Sequence, residues 1–158
     1  MTIEEQLGDE LRGQKLTVAV AESCTGGLLG SRITDVAGSS EYFLGGVIAY
    51  QNEVKEALLH VPRDVIASHG AVSSETAEAM ASGCRNLFKC DIAVSITGIA
   101  GPGGGSAENP LGLTYIGLAT SRGVISRRYQ WSGDRTENKE SSVHAAMKLT
   151  LSTLKREG

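Results

Sequence analysis

Leu16-Thr-Val-Ala-Val-Ala-Glu-Ser-Cys-Thr-Gly-Gly27 decides how the rest of the chain is read. Residues 16–21 form a short, almost wholly apolar run, the mark of a strand buried on both faces of a sheet. The polar glycine turn 22–27 then opens onto Leu28, Leu29, Ile33 and Val36, whose spacing is helical. Strand, turn and helix in that order open an α/β domain. Upstream, Ile3, Leu7 and Leu11 recur at four-residue spacing with Gly13 behind them, so a helix ending in a glycine cap is expected. Downstream, Tyr42–Tyr50 reads as a strand whose glycines admit a close neighbour, followed by a helix over 53–59 capped by Asn52 and a short one from Pro62.

Ser74 heads the next helix, with Ala77, Met80, Cys84, Leu87 and Phe88 on one stripe. Residues 91–97 form another buried strand and run directly into Gly98–Gly105, the most glycine-dense stretch of the chain. Two strand patterns, 113–120 and 124–131, meet at Ser121-Arg122-Gly123 and predict an antiparallel hairpin. A closing helix from about Asp134 carries Val143, Met147, Leu151 and Leu154 on one face. The order αβαβααβββα, without repeat or linker, predicts one domain over residues 1–158: a three-layer α/β/α sandwich with a mixed sheet.

Composition excludes several classes. Hydrophobic residues make up 41% of the 158 and charged residues 21%, too ordinary for a disordered chain or a long coiled coil. Net charge is -3 and no basic stripe is present, which argues against a nucleic-acid grip. Cys24, Cys84 and Cys90 show neither metal-knuckle spacing nor the density of a secreted scaffold, and a reducing cytoplasm fits them. The N-terminus has no signal-peptide pattern and no stretch is long enough to span a bilayer, so neither export nor a membrane partner is expected. His60, His69 and His144 are too scattered for a metal site.

Two polar glycine turns, 22–27 and 97–105, each follow a buried strand, and ligands of open α/β sheets bind at the carboxyl ends of strands. Both turns are therefore expected on one rim, where glycine backbone N–H groups and a helix N-terminus attract an anion; ordinary chain reversal is the competing reading. Ser39, Ser40, Tyr50 and Lys55 form a second group. A lysine in the first turn of a helix faces the positive end of the dipole, and desolvation would push it further toward the neutral amine a general base must be. Serine needs such a neighbour, although a surface lysine beside turn serines fits the spacing equally well. Cys24, ahead of a helix N-terminus, is an alternative nucleophile if its pKa is lowered. Arg135 could pair a phosphate or carboxylate, or simply lie solvated in the first turn of the last helix.

Ala-Glu-Ser-Cys-Thr-Gly-Gly (21–27), Gly-Ser-Ser (38–40), Val-Ile-Ala-Tyr-Gln-Asn-Glu-Val-Lys (47–55), His-Gly-Ala-Val-Ser (69–73), Thr-Gly-Ile-Ala-Gly-Pro-Gly-Gly (97–104) and Gly-Asp-Arg (133–135), taken together, resemble the CinA C-terminal-domain family of nicotinamide-nucleotide amidohydrolases. The likeness runs over nearly the whole chain. Larger members carry an extra N-terminal domain, so the resemblance suggests a stand-alone form. It implies hydrolysis of the carboxamide of nicotinamide mononucleotide to nicotinic acid mononucleotide and ammonia, in pyridine-nucleotide recycling, with no metal and no organic cofactor. Carried onto this sequence, it implies Ser40 as nucleophile, where the pattern expects serine while accepting Ala or Ser at Ser39, with Tyr50 and Lys55 as activating partners. Gln51-Asn52 replaces the Ser-Asn of many relatives and leaves those residues untouched. Ser23, Thr25, Gly26, Gly27, Gly98, Gly101, Gly103, Gly104 and Arg135 are the expected substrate contacts, and a homo-oligomer is the expected assembly. The competing functions are a non-catalytic nucleotide-binding or regulatory module, a cysteine-dependent amidase using Cys24, and an interaction protein of DNA competence.

Overall fold

A computed structural model describes residues 1–157. The chain runs α1 (Ile3–Gln14), β1 (Val18–Glu22), α2 (Leu28–Thr34), a 3-10 turn (Ser39–Glu41), β2 (Phe43–Ile48), α3 (Asn52–Leu59), α4 (Arg63–His69), α5 (Ser74–Phe88), β3 (Ile92–Gly98), β4 (Leu113–Thr120), β5 (Gly123–Gln130) and α6 (Arg135–Glu157). The five strands form one mixed sheet in the order β2-β1-β3-β4-β5. β1 pairs in parallel with both β2 and β3, while β4 and β5 run antiparallel. The expected α/β sandwich is present, and the helix expected over 53–59, the short one from Pro62 and the one headed by Ser74 are α3, α4 and α5.

The two faces of the sheet differ in side-chain size, because successive strand residues point to opposite faces. Val18, Val20, Ile92, Val94, Ile96, Ile116 and Leu118 build a core with α1, α2 and α6. Ala19, Ala21, Ala93 and Ala119 face α3, α4 and α5. Small residues let α5 sit almost on the backbone: the Ser95 hydroxyl donates to the Ala77 carbonyl at 2.6 Å, and a Cβ at Gly117 would strike that same carbonyl. Gly117→Ala should therefore destabilise the protein by about 2–3 kcal/mol through overpacking. A thermal melt should show Tm falling by roughly 5–10 °C.

Some helix ends fall one or two residues from their expected places. α1 continues through Gly13 and stops at Lys15, which takes the left-handed conformation with φ 57° and donates its N–H to the Arg12 and Leu11 carbonyls. Ser73, not Ser74, caps α5, because its side chain accepts the Thr76 N–H. Gln51 is the N-cap of α3, and Asn52 is the first helical residue. The topology sets the position of the site. From β1 the chain crosses through α2 to β2 on one side, then returns through α3, α4 and α5 to β3 on the other. A crevice opens at the carboxyl ends of β1 and β3, where the winding reverses.

Candidate active site

Ser23 follows β1, Gly98 ends β3, and Tyr50 and Asn52 follow β2, so these strand ends meet at one rim. They line a cleft of about 250 Å³ together with Cys24, Lys55, the Ala71-Val72 loop, Thr97, the glycine loop and Arg135. Lys55, on the first turn of α3, is buried to 1% exposure although it is a lysine. Its Nζ donates to the Tyr50 carbonyl at 3.1 Å and lies 3.2 Å from Ser23 Oγ. Burial lowers its pKa below the ordinary lysine value of 10.5, against smaller opposite effects of Cys24 and Glu53. With the amine neutral, one N–H serves the carbonyl and the lone pair is available to the serine hydroxyl.

The glycine loop closes the opposite wall. Gly101 and Gly104 both adopt φ 89°, a left-handed conformation that a side chain would strain. The first turns of α6 hold the loop in place: Asn138 Nδ2 donates to the Ala100 carbonyl at 2.9 Å and Arg135 Nη1 to the Gly101 carbonyl at 2.7 Å. Arg135 Nη2 also donates to the Tyr50 hydroxyl at 3.2 Å. A guanidinium carries five N–H groups, so donors remain for an anion in the cleft.

The expected site residues divide. Tyr50, Lys55, Ser23, Gly98, Gly101, Gly103, Gly104 and Arg135 share the cleft. Ser40 stands apart, exposed in the 3-10 turn that enters β2, whereas Tyr50 and Lys55 follow the exit of that strand. The strand between them spans roughly 15–20 Å, so within one chain Ser40 is not the serine beside Lys55. Tyr50 offers Lys55 its carbonyl, while its hydroxyl receives a hydrogen bond from Arg135.

Thr25 faces inward: its hydroxyl donates to Glu22 Oε1 at 2.6 Å. The same carboxylate accepts the Leu29 N–H at 2.8 Å and the Gly30 N–H at 2.9 Å. An internal anion thus occupies the N-terminus of α2 expected to attract a ligand, and Thr25, Gly26 and Gly27 lie outside the cleft lining. Cys24 lines the cleft, but burial raises its thiol pKa to about 11, the opposite of the activation a helix N-terminus would give. Asn52, Thr97 and the Ala71-Val72 loop also line the cleft, although none was among the expected catalytic residues or substrate contacts. Thr97 donates its hydroxyl to the Ala71 carbonyl at 2.8 Å and so ties that loop to β3. Among the described residues no group of three or more His, Cys, Asp and Glu could hold a metal ion, and no helix is long and apolar enough to cross a membrane.

A family model described as the CinA C-terminal domain matches residues 1–154. A CinA-like protein of Chlorobaculum tepidum is 49% identical over 160 residues, covering 98% of this chain and 38% of that one. The chain spans a little over a third of the length of the curated relatives it matches. Among solved structures, the competence/damage inducible protein CihA from Agrobacterium tumefaciens superposes with a TM-score of 0.92 at 37% identity, over 97% of this chain and 95% of that one. A CinA superfamily protein from Klebsiella pneumoniae gives a TM-score of 0.93 at 28% identity, over 99% of both chains.

Proposed function

The chain belongs to the CinA C-terminal domain family, and from that membership together with the rim cleft we propose that it is an amidohydrolase acting on nicotinamide mononucleotide. The observation that carries this reading is the buried Lys55 amine 3.2 Å from Ser23 Oγ at the mouth of the glycine loop. A serine and an unprotonated lysine form a nucleophile and its base, a recognised alternative to Ser-His-Asp. Ser23 therefore takes the role that the family resemblance assigned to Ser40.

In this mechanism Ser23 Oγ attacks the carboxamide carbon while Lys55 Nζ takes the hydroxyl proton. Backbone N–H groups facing the cleft hold the oxyanion, each worth about 3–4 kcal/mol in well-studied hydrolases. The C–N bond then breaks, and the Lys55 ammonium returns the proton to the departing amine, which leaves as ammonia. Water, deprotonated by the same lysine, hydrolyses the acyl-serine to nicotinic acid mononucleotide and restores both groups. Arg135 and the N–H groups of the glycine loop receive the phosphate. Both the nucleophile and the proton carrier come from the chain itself.

The test is to incubate the protein with nicotinamide mononucleotide and measure ammonia and nicotinic acid mononucleotide across pH. Turnover should rise with pH along one limb whose midpoint lies below 10.5, because only the unprotonated lysine accepts the serine proton. Saturable binding without product at any pH would replace this reading with the non-catalytic nucleotide-binding module.

A further inference from the structure

We propose that Glu22 and Thr25 form a buried clamp that positions the Ser23 hydroxyl for Lys55, an inference that rests on the Ser23–Lys55 reading above. Glu22 and Thr25 are each only 1% exposed. A carboxylate so far from water needs several donors, and Glu22 has three: the Thr25 hydroxyl and the Leu29 and Gly30 N–H groups. Among the described residues no other side chain caps α2, whose N-cap is Gly27.

The backbone of the same residue reaches the other half of the site. The Glu22 carbonyl accepts the Ala49 N–H at 2.7 Å, immediately before Tyr50, whose carbonyl holds the Lys55 amine at 3.1 Å. Ser23 itself donates its N–H to the Ile96 carbonyl at 3.0 Å and accepts the Gly26 N–H on its own carbonyl at 3.1 Å. The serine is thus held on its N-terminal side to the segment that carries the base and on its C-terminal side to the turn closed by Thr25. The Glu22 carboxylate takes its hydrogen bonds from Thr25, Leu29 and Gly30, whereas the Lys55 amine makes its own to Ser23 and the Tyr50 carbonyl. The clamp therefore acts through the placement of Oγ and leaves the basicity of the amine alone. A displacement of about 1 Å in a reacting group can cost on the order of a hundredfold in rate.

Thr25→Val keeps the shape of the side chain and removes the donor, while Thr25→Ser restores it. With nicotinamide mononucleotide as substrate, Thr25→Val should lose roughly 10- to 100-fold in kcat at a KM within about threefold, with the midpoint of the pH limb unmoved; Thr25→Ser should recover most of kcat. A folded Thr25→Val with wild-type kcat would overturn the clamp. So would a loss accompanied by a shifted pH midpoint, because the pair would then act through charge. Should Thr25→Val not fold, Glu22→Gln supplies the same readout, since its amide would set a donor against the Gly30 N–H. Wild-type turnover by Ser23→Ala would remove the nucleophile reading itself, whereas an inactive Ser23→Ala beside a fully active Thr25→Val would remove the clamp alone.

Discussion

Ser23→Ala is expected to lower turnover of nicotinamide mononucleotide by at least about a thousandfold, while Ser40→Ala should stay within about threefold of wild type. Removing a nucleophile eliminates the covalent route, leaving only the catalysis that binding and oxyanion donors supply. Ser23 is nearly buried and its hydroxyl contacts the one lysine of the cleft. Alanine there deletes one oxygen and leaves the backbone bonds of the turn unchanged, so the fold should survive. Ser40 is exposed at the far end of β2, where alanine removes a hydroxyl facing solvent. Both rates, measured on variants with wild-type circular dichroism, decide between the two serines. A dead Ser40→Ala beside an active Ser23→Ala would return the nucleophile to the position that the resemblance implied.

Lys55→Met should cost roughly a hundred- to ten-thousandfold in turnover, the range associated with losing a positioned general base. Methionine matches the aliphatic stem and fits a site where the side chain is already buried, so loss of packing is not the expected cause. Stability provides a second reading of the same substitution. Burial lowers the Lys55 pKa in the folded protein below its unfolded value. Between the lowered value and 10.5 the unfolded chain binds more protons, so stability rises with pH across that window. Methionine has nothing to titrate. Denaturant unfolding at pH 7 and pH 10 should show the wild type gaining on Lys55→Met as pH rises. The orphaned Tyr50 carbonyl adds an offset that does not depend on pH. A parallel pH response of the two proteins would mean that Lys55 is solvated and charged in the folded state, and would remove it as the base.

The large architecture was legible because it rests on patterns of one or two residue types. β1 and β3 are mostly apolar and almost wholly buried, with Glu22, Ser95 and Thr97 as their polar members, and a strand with both faces covered favours such a composition. Helix stripes were equally plain: Val143, Met147, Leu151 and Leu154 are all buried on α6. Leu87, expected on the stripe of α5, is instead 47% exposed near the end of that helix. The site was harder to read. Ser40, Tyr50 and Lys55 are close in sequence, which suggested a group, yet a strand lies between the first and the other two. Ser23 and Lys55 are 32 positions apart and meet because β1 and β2 run in parallel and end at one rim. Pairing of this kind has no local signature. Glu22 did carry a signal, a charged residue closing a fully buried strand, and such a residue must find several partners. Its partners are the helix N-terminus that the glycine turn had offered to an anion and the threonine that the resemblance had offered to the substrate.

The placement of β1 between two parallel neighbours also divides the site by rate of opening. Ser23 and Glu22 are bonded to Ile96 on one side and Ala49 on the other, in a part of the sheet with no free edge. Amides so enclosed are released only when the whole sheet opens, the slowest motion a single domain has. Residues 102–108 of the facing loop are exposed throughout and can open by local excursions. The Ser23 hydroxyl therefore belongs to the slow part of the molecule and the facing loop to the fast part. In the proposed reaction, substrate entry and product release would proceed through the loop without disturbing the alignment of Ser23 with Lys55.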